Sequence, residues 1–178
     1  MKLHANRCFV TSLVLLFAAL LALPQSASAL GEKRDKRFQI GIGPGFILSP
    51  TGFNMGLEAE YYATKNLSVA PKFSISIPDG AEIYTISAEG RYTLDLTGND
   101  AVVKNLKPWV GVGGGIIIAD PDGRRGADAG IQIQMTGGAN YYIHANIALS
   151  SSMEFTIPFG VRDHFIYRWH VLQVKYLF

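Results

Sequence analysis

Along most of the chain, apolar and polar residues alternate with period two, and turn-forming residues break the alternation at intervals. Phe53, Met55, Leu57, Ala59 and Tyr61 share one face of an extended segment, with Asn54, Gly56, Glu58 and Glu60 on the other. Leu67, Val69, Phe73, Ile75 and Ile77 oppose Ser68, Ala70, Lys72, Ser74 and Ser76. Tyr84, Ile86, Ala88, Tyr92 and Leu94 oppose Thr85, Ser87, Glu89, Arg91, Thr93 and Asp95. Two further segments, around Ile131–Tyr141 and Ile147–Phe159, behave the same way. Glycine-rich stretches at Phe38–Leu48 and Trp109–Ala119, together with Val171–Phe178, bring the predicted strands to eight. No stretch of this region sustains a helical period.

Alternation by itself does not say which face meets solvent, because a soluble lipocalin-like barrel also alternates, with its apolar side inward. Here the polar face carries full charges of both signs: Glu58, Glu60, Lys72, Glu89, Arg91, Asp95, Glu154 and Lys175. Aromatic residues gather near the strand ends, among them Tyr61, Trp109, Tyr141 and Trp169, as two interfacial girdles require. Strands of roughly ten residues are long enough to cross a bilayer when tilted. Since no backbone group can turn to water inside lipid, such a sheet must close on itself.

The last strand adds a resemblance. Leu172, Val174, Tyr176 and Phe178 lie on one face, Gln173 and Lys175 on the other. This resembles the closing strand of Gram-negative outer-membrane β-barrels, whose terminal aromatic is read by the barrel-assembly machinery. Glu60–Ser68 and Asn140–Ala148 each contain a Tyr-Tyr pair, a short polar turn and an Asn before an aliphatic residue. They resemble periplasmic turns of OmpA/OmpX-type or porin-like small barrels. The resemblance implies an all-β, eight-stranded, antiparallel up-and-down transmembrane barrel in the cell outer membrane. It implies periplasmic termini, Tyr176 and Phe178 as the assembly signal, and short outer loops near 49–52, 78–82, 120–128 and 160–165. Its partners would be outer-membrane lipids, lipopolysaccharide and the assembly machinery, with a monomer as the expected state. With the chain ending at Phe178, no cell-wall-binding domain is expected after the barrel.

The N-terminal segment fits that compartment. Lys2 and Arg7 precede the apolar run Phe9–Leu23, and Ala27-Ser28-Ala29 offers small residues for cleavage, so residues 1–29 read as a secretory signal and 30–178 as the barrel domain. The run is shorter than the roughly 20 residues of a spanning helix. The single cysteine, Cys8, leaves with the signal, so no disulfide or cysteine-ligated metal is expected. The full chain has 16 Lys and Arg against 14 Asp and Glu; losing Lys2 and Arg7 makes it neutral, which removes any case for a nucleic-acid partner.

Candidate chemistry is sparse, and no cofactor or metal is expected. The polar-face charges are either a paired network filling a narrow lumen or a charged constriction that selects ions or small solutes. Asp120–Asp128 fails the spacing of a calcium loop, and Arg124 and Arg125 in it are candidates for lipopolysaccharide phosphates. Asp163, His164 and His170, with Ser150–Ser152 one strand away, are the only hint of a lipid A-modifying enzyme, and they form no recognised nucleophile or zinc motif. Arg168 and His170 interrupt the apolar phase of the last strand, which reads as that strand leaving the bilayer. The glycines at 111 and 113–115 precede no helix and so do not make a phosphate loop. The leading expectation is a structural or interaction protein of the envelope. A narrow porin-like channel is the first alternative and a lipid A-modifying enzyme the second.

Overall fold

Residues with alternating phase and β-branched or aromatic outward positions form long strands, and eight of them account for most of the described residues. A computed structural model describes residues 37–178 except 50, 79, 99, 122–125 and 162–164. The expected signal segment 1–29, the Arg124–Arg125 pair, Asp163 and His164 therefore lie outside the described residues. The strands are β1 (Phe38–Ser49), β2 (Thr51–Tyr62), β3 (Leu67–Pro78), β4 (Ala81–Thr93), β5 (Leu106–Pro121), β6 (Asp128–His144), β7 (Ile147–Phe159) and β8 (Ile166–Leu177). Each pairs antiparallel with its neighbours in sequence, and β1 pairs with β8 to close the barrel. Among the described residues the single helix is α1 (Ala101–Asn105), in the β4–β5 connection, with Asp100 accepting from the Val102 N–H as its N-cap.

The burial pattern is inverted relative to a soluble protein. Val112 and Ile131 are 61% and 64% exposed, whereas Arg91 and Lys175 are 1% and 0% exposed. Charged side chains are almost never fully buried unless paired, and such an extensive apolar exterior is untenable in water. The exterior is therefore the lipid face and the charged face the lumen. At the end where β1 begins and β8 ends (the terminal end), Phe38, Tyr61, Tyr92, Tyr176 and Phe178 point outward. At the opposite, distal end, Phe46, Phe53, Phe159, Phe165, Tyr167 and Trp169 do so. At the distal end Gly80, just before β4, has a φ of 74°, which L side chains rarely adopt.

Register irregularities occur at several seams, and two of them bear on the lumen. In β8 both Val171 and Leu172 turn away from the lumen, and the β7–β8 register shifts between Ser150 and Ser152. This is a β-bulge. It corrects the expectation that Arg168 and His170 mark the strand leaving the bilayer: the bulge changes the phase, and both side chains are buried inside. Facing the bulge, Gly43 and Gly45 of β1 have no room for a Cβ, which would fall against the backbone carbonyls of Leu172 and Trp169. The second irregularity is Pro71. The β2–β3 register omits the pairs Ala59/Pro71 and Glu60/Ala70, as expected where Pro71 has no N–H to give the Ala59 carbonyl.

Candidate functional site: the charged lumen

The lumen holds four buried acids, Glu58, Glu60, Glu89 and Glu154, and four bases, Lys72, Arg91, Arg168 and Lys175, so its formal charges balance. They come from β2, β3, β4, β7 and β8, each at an inward position of its strand. Arg91 is the hub. Its guanidinium meets Glu58 at 2.7 Å, Glu60 at 2.9 Å and Glu89 at 2.5 Å, and lies 4.1 Å above the Trp109 ring. Lys175 pairs with Glu58 at 2.5 Å and stands 3.8 Å from Glu60.

Neutral groups complete the acids' coordination. Glu60 accepts from Gln39 and from the Ser68 hydroxyl, and Glu89 accepts from Gln134 and Thr136 at 3.0 Å each. Buried charges are tolerated only with partners of this kind.

Two bonds span the barrel. Lys72 on β3 donates to Glu154 on β7 at 2.8 Å, and Arg168 on β8 donates to Thr85 on β4 at 2.9 Å. In each case the two strands are four apart in an eight-stranded ring, so the side chains meet across the bore. Arg168 also holds Glu154 at 2.5 Å and reaches the Ser76 hydroxyl at 3.3 Å. Ser76 donates to Asn54, whose side-chain amide lies 3.2 Å from His170 Nδ1. His170 is thus part of the lumen wall. Beyond this layer, Ile47, Ile83, Ile117, Ala119 and Ile166 pack together at the distal end as an apolar cap. Tyr142, Ala148 and Leu177 pack at the terminal end.

Two of the residues singled out from sequence fall elsewhere. Asp95 is not in the lumen. β4 ends at Thr93, and Asp95 lies in the β4–β5 connection, bonded to Lys65 and to Lys107 at 3.0 Å each. Partial desolvation would raise its pKa, but the hydrogen bonds from Lys107 and Lys65 outweigh that and hold its carboxyl down, to about 2. Trp109 is not a girdle residue. It is buried on the lumen side, with Arg91 4.1 Å and Lys175 5.5 Å from its ring centroid, where cation–π contact with two bases replaces an interfacial role. Of the other girdle candidates, Tyr61 and Trp169 face outward and Tyr141 is half-buried. Phe178 donates its N–H to the Phe38 carbonyl at 2.9 Å, and its ring lies against Phe38 and Tyr176 across the closing seam. Among the described residues no group of His, Cys, Asp and Glu is arranged to hold a metal ion.

No family model matches the chain, and no curated protein matches it. Solved structures do. Neisserial surface protein A is 18% identical with a TM-score of 0.64, over 79% of this chain and 97% of that one. The N-terminal β-barrel domain of Pseudomonas aeruginosa OprF is 14% identical with a TM-score of 0.58, over 80% and 98%. Ail, the attachment invasion locus protein of Yersinia pestis, is 15% identical with a TM-score of 0.50, over 80% and 99%. At these identities the likeness is one of fold. Taken with the apolar exterior and the ion-paired interior, it makes this chain an eight-stranded β-barrel of the outer membrane.

Proposed function

We propose that this barrel is a non-conducting outer-membrane protein whose role is structural or interactive rather than transport. The observation that carries the reading is the pair of bonds across the bore, Lys72–Glu154 and Arg168–Thr85. An ion crossing this level would have to displace charge-assisted bonds in a low-dielectric interior, where a buried charge parted from its partner is strongly unfavourable. The distal isoleucine cap adds a hydrophobic constriction, which bars ions by dewetting. A lipid A-modifying activity draws no support from His170, which faces the lumen and bonds Asn54 rather than the membrane rim. The partners of this reading are the surrounding lipids and lipopolysaccharide on the aromatic belts, and the assembly machinery at the closing strand, with the barrel as a monomer. The test is single-channel recording on refolded, heat-modifiable protein in a planar bilayer. Silence is expected; discrete, reproducible steps would overturn the proposal.

A further inference from the structure

The lipid face is not smooth. A cavity of about 300 Å³ opens on it across β1–β4, lined by Ile40, Leu57, Ala59, Pro71, Phe73 and Ile86. Its volume stands at the small end of the range for ligand pockets. The strand sequences explain the hollow. Ala59 and Pro71 are short where Leu57 and Phe73, one outward position away, are long, and the β2–β3 ladder omits the Ala59/Pro71 pair. Ala88, in register with Pro71, extends the low ground onto β4. On the distal side Leu57, Phe73 and Ile86 lie in register on one rung and wall the cavity off. On the terminal side the next outward residue of β4 is Gly90, where a Cβ would meet nothing within 4 Å, so the floor runs on toward the terminal end.

We propose that this cavity holds one acyl chain of a phospholipid whose headgroup lies at the terminal end of the barrel. The medium around it is hydrocarbon, since the cavity belongs to the lipid face near the middle of its strands. There an empty hollow leaves its lining atoms without dispersion partners, and a single flexible chain has the shape that fills it. A second barrel does not fit. A stable pair buries about 800 Å² on each partner, and the exposed rim of Leu57, Phe73 and Ile86 would hold another barrel off the floor. Depth and charge choose the lipid. From Leu67, where β3 begins, to Pro71 is four residues, roughly 14 Å along the strand and about 10 Å of depth at the tilt of a membrane barrel. A chain entering from the terminal end therefore reaches the cavity within its own leaflet. The connections at that end carry Lys65, Lys104 and Lys107 against Asp95 and Asp100, an excess of positive charge that suits a phosphate. At the distal end of β4 and β5, Glu82 and Asp120 are directly opposed, outward and exposed, and repel a phosphorylated headgroup arriving from the other leaflet. The site is independent of whether the lumen conducts.

The test is native mass spectrometry of folded, heat-modifiable barrel released from nanodiscs of dimyristoylphosphatidylglycerol. Wild type should retain one phospholipid per barrel. Ala88→Phe sets a ring over Pro71 and should lower the retained fraction by about fivefold or more, the effect of roughly 1 kcal/mol. Met153→Phe, at an exposed position of the lipid face on β7, four strands from β3, should leave retention unchanged. Ala88→Leu, should the phenylalanine variant not fold, should lower retention in the same direction. A folded wild type that retains no lipid, or a folded Ala88 variant that retains as much as Met153→Phe, would overturn the proposal. So would a wild-type dimer that Ala88→Phe dissociates, which would make the occupant a second copy. Preferential retention of lipopolysaccharide from nanodiscs supplying both lipids in equal amount would overturn the choice of phospholipid.

Discussion

Replacing Arg91 by Met should unfold more of the lumen than any other single change. The methionine keeps the length of the side chain and much of its packing on Trp109, but removes bonds to three carboxylates. Breaking a buried pair by removing one partner costs about 3–5 kcal/mol, because the charge left behind stays desolvated. The three acids are not equally exposed to that loss. Glu89 retains Lys72 at 3.4 Å, with Gln134 and Thr136, and Glu58 retains Lys175 at 2.5 Å. Glu60 retains only Lys175 at 3.8 Å, with the neutral donors Ser68 and Gln39. The penalty should therefore concentrate at Glu60. Adding Glu60→Gln, whose amide oxygen still accepts from Ser68, should restore about 2 kcal/mol or more of it, a coupling within the range for residues of one network. The assay is urea unfolding in lipid vesicles with the folded fraction read by heat-modifiable gel mobility, since Trp109 packs on Arg91 and its fluorescence would change for local reasons. A cost below about 1 kcal/mol for Arg91→Met would refute the buried-charge argument. So would a double variant as unstable as the sum of its parts.

Ile86→Arg, near the middle of the outward face of β4, should destabilise by about 2–4 kcal/mol in the same assay, whereas Leu149→Arg, two residues from the terminal end of β7, should cost only about 0–1 kcal/mol; equal costs would put the two at the same depth. Deleting Phe178, which closes the seam onto Phe38, should lower the amount of folded barrel in outer-membrane fractions; normal assembly would contradict the role assigned to it. Asp95 has a folded pKa below its unfolded value near 3.8, so its stabilisation is present above that value and lost as pH falls through about 2. Amide exchange in the 63–66 and 94–100 connections should therefore quicken between about pH 4 and 2, a response that Asp95→Asn should abolish. Pro71→Val should return an N–H to the Ala59 carbonyl and raise stability by about 1 kcal/mol, despite the unfolded-state entropy that proline withholds; a loss would mean that the gap is satisfied in another way.

How far these features were legible in the sequence depends on whether a residue's environment is set by its own strand or by another. Period-two alternation fixed the strands and, through residues such as Lys72, Arg91 and Lys175, the charged face, because facing is a property of one strand. Asp95 continued the phase of β4 on paper, but the strand ends at Thr93, and a terminus depends on where the neighbouring strand stops pairing. Trp109 sits near a strand end as a girdle aromatic would; its partners, Arg91 and Lys175, lie on other strands, and the glycine that makes room for it, Gly138, is one more. The phase break at Val171–Leu172 was visible, yet a bulge and a strand end look alike in one strand and are distinguished only by the register of β7. The cap did leave a signal: Ile47, Ile83, Ile117 and Ile166 each occupy the polar phase of their strands, all at the distal end.

The bonds across the bore also bear on how the barrel closes. Hydrogen bonding between adjacent strands sets local register, and a slip of one residue turns a whole face around. A slip of two preserves the facing and is opposed only by the side chains. Glu58 and Glu60 are both acids two residues apart on β2, so such a slip there would still present a carboxylate to Arg91 and is weakly opposed. Lys72–Glu154 and Arg168–Thr85 behave differently, because β3 never pairs with β7 nor β4 with β8. Each such bond survives only if the accumulated stagger of four strand pairs brings both residues to one level. The stagger summed around the ring is what fixes a barrel's tilt and diameter. The ion network thus acts on the closed ring as a whole: the adjacent ladders determine which residues face inward, and the transverse bonds select the closure in which those residues meet.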